Sequence, residues 1–246
     1  NETSFGLGFS GNEMIGKFVA GNDFNYVQAH ATSIAASGKY NISSCSSEVI
    51  ASGRVQMKNY QAVDLINGLE RHDGYTHAFF KSFTPALQNR IRQYASQGGR
   101  ILISGSYTGS DMQTEEEQAF LSDILKLSYE PTGSTAITRD INPEDSTVTE
   151  RESIVYTSPN VTGLGLQFSY YNELNAKHYA ATHPEILKPV GNYAFTAMQY
   201  DTGTSAAVAY KSTTYRSFVM GFPLECIIDE STRTSVLLGI LKFLTD

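Results

Sequence analysis

The sequence predicts an α/β protein whose β-sheet is mostly parallel. Towards both ends of the chain, apolar runs of strand length alternate with amphipathic segments of helical period. Between them, residues 128–215 contain short β-branched or aromatic runs broken by Gly, Pro and Asn, which is typical of antiparallel hairpins. We therefore expect one domain, residues 1–246, in which this middle part is a β-rich insertion or an antiparallel extension of the sheet.

The first half of the chain carries the alternating elements. Apolar stretches predict strands at residues 4–9, 40–44 and 62–66, and a helix capped by Asp23 between the first two. The clearest helix starts after Thr84, a typical N-cap followed by proline, and stops at Gly98. A strand at 100–104 follows directly, and residues 115–127 form an amphipathic pattern with acidic residues in the first turn.

The second half is predicted to be richer in strands. Short strand-like runs occupy residues 135–138, 153–157, 166–171, 193–200 and 205–210. The α/β pattern then returns with a strand at 217–220 and a helix at 231–244, for which Ser231 is the expected cap.

The composition of the chain argues against some classes of binding partner. The net charge of −7 argues against nucleic acids and anionic membranes, and without an apolar run of about 18 residues we expect no membrane insertion. Cys45 and Cys226 lack metal-ligand spacing, so we expect no metal or cofactor; they could form one disulfide or remain free thiols. The chain begins at Asn1 without an initiating Met or a signal peptide, so we expect a mature or trimmed piece of a longer protein. Its few Lys and Arg and its abundant Tyr, Ser and Thr are typical of a secreted, periplasmic or cell-surface protein.

The turn at residues 105–109, with the sequence Gly-Ser-Tyr-Thr-Gly, is the strongest functional signal. It follows an apolar strand and precedes a helical stretch, which is where α/β enzymes expose a nucleophile and where free backbone N–H groups can hold an oxyanion. The central position of this frame is Tyr107, so the usual Ser or Cys is missing.

Four segments, residues 60–70, 83–88, 98–111 and 220–225, carry a resemblance to a known family. They resemble the class I glutamine amidotransferase-like domain of secreted Bacteroidetes proteins labelled xanthan lyase-like. The resemblance spans roughly residues 55–125 and 185–245. It implies a flavodoxin-like three-layer sandwich with functional groups at the carboxyl ends of the strands.

Mapped onto that family, the catalytic positions are altered. The nucleophilic Cys falls on Tyr107, and the later Phe-His-Pro-Glu motif falls on residues 222–225, where Glu225 could be the acid but no His stands beside it. The oxyanion-hole loop would lie near Gly68 and Glu70. The resemblance therefore implies that the domain is no glutaminase.

A literal copy of the His-Pro-Glu motif occurs elsewhere, at residues 183–185. In the family this triplet follows a buried strand and precedes the closing helix. Here residues 180–182 make a poor strand, and the final helix starts some forty residues later. We interpret the triplet as a coincidence in an ordinary turn.

The candidate residues each have a functional and a structural interpretation. Ser106 could be a hydrolase nucleophile or a turn residue, and Tyr107 a proton donor of a polysaccharide lyase or a packed ring. Glu70 and Glu225 could pair for acid–base chemistry, or Glu225 could cap a helix or pair with an arginine.

Around the turn, Gly105, Ser110 and Asp111 are candidate ligand contacts, although Asp111 could equally cap a helix. Clustered tyrosines such as Tyr170 and Tyr171 could stack on a sugar or simply pack. We expect a non-catalytic structural or carbohydrate-binding module attached to other domains of a secreted, polysaccharide-processing polypeptide; the alternative is an enzyme, either a hydrolase using Ser106 or a lyase using Tyr107 with a carboxylate.

Overall fold

The computed structural model describes residues 26–71, 80–130, 139–141, 148–150, 154–162, 165–172, 178–181 and 183–246. The strands predicted at residues 4–9 and 135–138, and the predicted cap Asp23, lie outside these ranges.

Four of the described α-helices agree with the predicted ones within a few residues, whereas the short helices at residues 47–51 and 159–162 were not predicted. They are α1 (Tyr26–Ala35), α2 (Ser47–Ala51), α3 (Pro85–Ser96), α4 (Glu115–Phe120, continued by a π-helical turn at Leu121–Leu125), α5 (Pro159–Thr162) and α6 (Glu230–Thr245). The Thr84 hydroxyl accepts a hydrogen bond from the Leu87 amide, as its N-cap role predicts. The cap of α6 is Asp229 rather than Ser231.

The described strands are numbered in chain order. They are β1 (Val63–Gly68), β2 (Arg100–Gly105), β3 (Leu127–Tyr129), β4 (Arg139–Ile141), β5 (Val148–Glu150), β6 (Ile154–Thr157), β7 (Gln167–Ser169), β8 (Leu187–Pro189), β9 (Ala194–Tyr200), β10 (Ser205–Lys211) and β11 (Arg216–Met220). The strand expected at residues 40–44 is absent from this part of the chain, where these mostly exposed, polar residues form no regular structure.

Seven of these strands form one mixed sheet in the order β1-β2-β11-β10-β9-β6-β7. Only β1–β2 and β2–β11 pair in parallel, whereas the other four neighbouring pairs are antiparallel. The prediction of a mostly parallel sheet is therefore wrong for the described strands, and the antiparallel extension is confirmed. The physical reason is the short connections from β9 to β11, since parallel neighbours need a long crossover.

Apolar side chains cover both faces of the sheet and give the protein its layers. On β2, Ile101 and Ile103 point towards α3 and the π-helical turn, whereas Leu102 packs in the opposite core with α6. This alternation of buried residues is what a strand covered on both faces requires. In the described part of the chain, none of the helices has the length and apolarity that crossing a bilayer would demand.

Candidate functional site

The carboxyl ends of the parallel strands β1 and β2 converge on the turn at residues 105–109. A Cβ atom placed on Gly105 would lie 2.7 Å from the Asn67 Cβ, so only glycine lets the two strand ends come this close. The Ser106 amide then donates a 2.9 Å hydrogen bond to the Gly68 carbonyl. The predicted residues Gly68 and Gly105 therefore shape the turn through their backbones.

The amide groups of the turn are occupied by a carboxylate of the protein itself. Glu185 accepts hydrogen bonds from the amides of Gly109, at 2.6 Å, and Ser110, at 2.8 Å. Burial raises the pKa of this carboxyl to about 7, even though both amides favour its charged form. Two amide donors on the helix side of the turn are thus satisfied internally.

The His183-Pro184-Glu185 triplet, whose match to the catalytic motif we interpreted as a coincidence, lies against the turn at residues 105–109. Its carboxylate binds the amides of the turn, and the His183 Nδ1 lies 3.3 Å from the Tyr107 hydroxyl oxygen. The three residues do not form the family's catalytic arrangement, because Glu185 holds backbone groups of the turn and Tyr107 occupies the central position. The literal match was the signal that could have located Glu185.

Tyr107 lies between two further polar groups at the surface. The guanidinium carbon of Arg71 is 4.5 Å from the centroid of the Tyr107 ring, and the His183 ring is 5.9 Å from it. Burial and the nearby Glu185 charge raise the pKa of Tyr107, although Arg71 opposes the shift. Partial burial and the Arg71 charge lower the pKa of His183, so its imidazole is neutral at pH 7.

Ser106 is placed where a substrate cannot reach it. Its side chain is fully buried, and within the described ranges its hydroxyl has no hydrogen-bond partner. A nucleophilic serine needs both access and a neighbouring base. The geometry therefore gives the hydrolase alternative no support.

Hydrogen bonds of Ser82 connect the turn to the segment that follows β1. Its hydroxyl contacts the carbonyl oxygens of Glu70, at 2.8 Å, and Tyr107, at 3.1 Å, while its amide donates to the Asp111 carboxylate at 2.8 Å. Asp111 is buried, and the cap of α4 is Thr114. Asp111 thus orders the backbone around the turn instead of capping that helix.

A second polar cluster, buried on the other side of β1, consists of Asp64, His30, Glu225 and Tyr179. The His30 Nδ1 lies 2.7 Å from the Asp64 carboxylate, and its Nε2 lies 3.2 Å from the Glu225 carboxylate. Tyr179 donates a 2.6 Å hydrogen bond to the second oxygen of Glu225. Both Glu225 oxygens are engaged by His30 and Tyr179, so the geometry gives the alternative of a Glu70–Glu225 pair no support.

The charges in this cluster follow from its geometry. Burial alone would lower the pKa of His30, but the two carboxylates that it faces raise the pKa to about 10. The same contacts lower the pKa of Glu225 despite its burial. The cluster is therefore an imidazolium held between two carboxylates, with Glu225 only 1% exposed. Its bonds link α1, β1 and the turn after β11.

The buried cluster borders a cleft between α1 and β1. The described residues enclose a volume of about 790 Å³, lined among others by Tyr40, Asp64, Asn67 and Glu70. Within the described ranges, the Asp64 Oδ1 and the Asn67 Nδ2 have no hydrogen-bond partner. Glu70 therefore lies where the cleft approaches the turn.

Sequence reasoning missed His30, Asp64 and Arg71, and it considered Tyr179 only as part of a possible sugar-stacking face. A histidine on an apolar helix face and an aspartate inside an apolar strand were available signals, because buried charges require partners. Nothing in the sequence brings Arg71 to the Tyr107 ring. The tyrosines considered as a sugar-stacking face differ in burial. Tyr170 is fully buried, whereas Tyr171 is half-buried and stacks on His178.

Comparison with known proteins shows similarity at the level of structure. No protein-family profile matches the chain, and no curated protein sequence matches it significantly. The chain is similar to a solved structure described as ThuA-like, from Parabacteroides merdae ATCC 43184, with a TM-score of 0.50 and 14% identity over 92% of this chain and 87% of that one.

Two further solved structures show a more distant likeness. For a cytoplasmic protein from Salmonella typhimurium LT2, the TM-score is 0.49 at 10% identity, over 89% of this chain and 84% of that one. For a β-galactosidase from Halorubrum lacusprofundi, the TM-score is 0.43 at 16% identity, over 78% of this chain and 23% of that one. The ThuA-like match shows a glutamine amidotransferase-like fold, and at this identity it shows the fold alone.

Proposed function

We propose that this chain is a non-catalytic, ligand-binding module with a flavodoxin-like sandwich, part of a larger secreted protein that processes polysaccharide. Its relatives would be the xanthan lyase-like proteins of Bacteroidetes that the sequence resembles. The ligand, a carbohydrate, would bind near the turn at residues 105–111, at the carboxyl edge of the parallel strands, where open α/β sheets bind their ligands.

The occupation of the turn amides by Glu185 carries this proposal. An acyl-transfer enzyme needs free N–H groups around this turn to stabilise the oxyanion as it forms. Here the amides of Gly109 and Ser110 already donate to a buried carboxylate of the same chain. A substrate oxyanion would have to displace that carboxylate, which favours a structural role for the turn.

The residues at the former catalytic positions also favour the proposal. Tyr107 stands where the family has its nucleophilic cysteine, and a phenol with a raised pKa is a poor nucleophile at neutral pH. Glu225 is fully engaged by His30 and Tyr179. The Cys226 thiol is buried and its pKa is raised well above the ordinary value, so it supplies no alternative thiolate.

A polysaccharide lyase is the second candidate, favoured by the 3.3 Å approach of Tyr107 and His183. In such an elimination the neutral His183 would remove the proton next to the uronate carboxylate, a C=C bond would form, and the glycosidic C–O bond would break. Tyr107 would protonate the departing oxygen, while Arg71 balanced the charge on the carboxylate.

Two product assays on the purified chain separate these functions. We expect no ammonia from glutamine, because two amides of the turn are occupied and Ser106 is buried. A non-catalytic module likewise releases no unsaturated uronate from acidic polysaccharides. Uronate release that disappears in Tyr107→Phe would establish the lyase instead. Turnover that disappears in Ser106→Ala but survives in Tyr107→Phe would establish the hydrolase.

A further inference from the structure

Arg71, Tyr107 and His183 form a small polar surface at the edge of the turn, which we call the Arg71 surface. Arg71 and His183 are exposed, and Tyr107 is half-buried between them. The Tyr107 ring holds the guanidinium by a cation–π contact, with the guanidinium carbon 4.5 Å from the ring centroid. The ring thus restricts a side chain that would otherwise sample many rotamers, which lowers the entropy cost of binding a ligand there.

The charge of Arg71 is available to a ligand. Across the described ranges, no carboxylate forms an ion pair with Arg71. Glu185, which lies against the turn, is buried and directs both oxygens at the Gly109 and Ser110 amides. In a chain of net charge −7, this is a local positive group beside the predicted ligand position.

The two neighbours of Arg71 supply hydrogen bonds of both kinds. The Tyr107 hydroxyl can donate and accept, and a neutral His183 imidazole does the same through its two nitrogens. A planar guanidinium matches a carboxylate through two parallel hydrogen bonds, whereas sugar hydroxyls need mixed donors and acceptors. A guanidinium beside a neutral phenol and a neutral imidazole suits a single negative charge.

We propose that the Arg71 surface recognises the carboxylate and adjacent hydroxyl groups of an acidic saccharide. This inference rests on the proposed function, because it names the ligand class of that binding module. Arg71 binds the carboxylate, and Tyr107 and His183 bind the hydroxyl groups beside it. The Tyr107 ring is already covered by the guanidinium, so recognition depends on hydrogen bonds and charge rather than on stacking of the sugar.

Calorimetric titration of the full chain with three probes tests whether the Arg71 surface recognises an acidic saccharide. The probes are a galacturonate trisaccharide, the neutral galactose trisaccharide and glutarate, and the variants are Arg71→Gln, Arg71→Lys and the control Arg92→Gln. Arg92 lies 5.3 Å from the centroid of the Phe120 ring, so it is a comparable cation–π arginine away from the turn.

We expect the galacturonate probe to bind wild type and Arg92→Gln equally, and Arg71→Gln about tenfold or more weakly, because a charge-assisted hydrogen-bonded pair is lost. Arg71→Lys should recover only part of the affinity, since an ammonium lacks the planar fork. Unchanged thermal unfolding of each variant establishes that the effect is local.

Each of the other possible results would contradict a specific part of the proposal. Equal binding of the neutral trisaccharide, or unchanged affinity in Arg71→Gln, sinks carboxylate recognition and leaves the binding module standing. Glutarate binding as tight as galacturonate assigns the site to small carboxylates and removes the saccharide. Conversion of the trisaccharide to an unsaturated uronate overturns the non-catalytic function while leaving the Arg71 surface intact. No binding of any probe overturns the inference.

Discussion

Two buried glutamates at the same edge of the sheet have pKa values that are shifted in opposite directions. The pKa of Glu185 is raised to about 7, whereas that of Glu225 is lowered. Burial acts on both in the same direction, so the difference lies in the partner. Glu185 meets two backbone amides and the Ser110 side chain, which carry only partial charges, and lies near the Asp111 carboxylate, while Glu225 meets a His30 imidazolium. A full opposite charge overcomes desolvation here, and neutral dipoles do not.

The shifted groups give the stability of the protein a defined pH dependence. The folded pKa of His30, about 10, lies above its ordinary 6.5, so its contribution is complete below pH 6.5 and is lost as pH rises towards 10. Glu185 also has a raised folded pKa, so its contribution is lost between about 4.5 and 7. For one proton the slope is at most about 1.4 kcal/mol per pH unit.

The free energy of unfolding, measured by urea denaturation from pH 5 to 10, checks this pH dependence. Two variants serve as controls for each other. We expect His30→Gln to remove the decline above pH 6.5, and Glu185→Gln to remove only the decline below about 7. If His30→Gln does not fold, the histidine NMR titration of wild type decides: one ring stays protonated at about pH 8. A set of rings that are all neutral there contradicts the prediction.

At the scale of elements, the ends of β1 and β2 are held closer than side chains permit. Gly68 and Gly105 face each other in the register of the two strands, next to an irregularity between Ile66 and Gly68. Gly68 has a φ of +54°, a left-handed conformation that favours glycine. The close approach brings the turn to the buried cluster, since a Cβ on Gly68 would lie 3.6 Å from the Glu225 carboxylate.

Gly105→Ala should therefore destabilise the protein by about 1–3 kcal/mol, the usual cost of forcing an extra methyl into a packed region. The new Cβ would meet the Asn67 Cβ at 2.7 Å, and both atoms are fixed by strand backbones. Gly165→Ala is the matched control, because its nearest neighbour is the Pro159 ring at 3.7 Å; its effect should stay within about 0.5 kcal/mol. Equal unfolding free energies for the two variants would show that β1 and β2 can separate at little cost.

At the scale of the whole molecule, the two thiols report on the integrity of the fold. Both are free, so the disulfide considered from the sequence is absent and the free-thiol alternative is confirmed. Cys45 is exposed, whereas Cys226 is fully buried beneath Tyr179 with a raised pKa. Their reactivities should therefore differ sharply.

A thiol-reactive disulfide reagent should label one thiol per native chain rapidly and the second only after denaturation. The burial of Cys226 and its raised pKa are the physical reasons. Cys45→Ser is the control and should leave no rapid phase. Rapid labelling of two thiols in the native protein would mean that the region around Tyr179 and Glu225 opens readily.

Much of the fold could be predicted because it is encoded locally. The Thr84 cap, the proline after it and Gly98 delimit α3 by chemistry that operates within a few residues. The β11 partner of β2 could not be predicted in this way, because Arg216 pairs with Arg100 over a separation of 116 residues. Strand pairing over such distances depends on the competition among all available edges, which leaves no local pattern.

The same distinction applies to the candidate site. The turn at residues 105–109 was visible as a glycine-framed strand end, but its internal occupant Glu185 lies 76 residues from Gly109. His30 and Asp64 were visible only as polar residues in apolar segments. Their partnership depends on how α1 packs on β1, which is a tertiary property.

The His30–Glu225 contact joins residues 195 positions apart, and this separation affects the order in which the protein matures during synthesis. Strand β2 and the imidazole of α1 leave the ribosome long before β11 and Glu225 arrive to complete them. Until then β2 keeps an unpaired edge, which invites association with other chains. We expect the nascent chain to depend on chaperones during that interval. Formation of the His30–Glu225 contact therefore marks the end of the period in which the protein is most prone to aggregate.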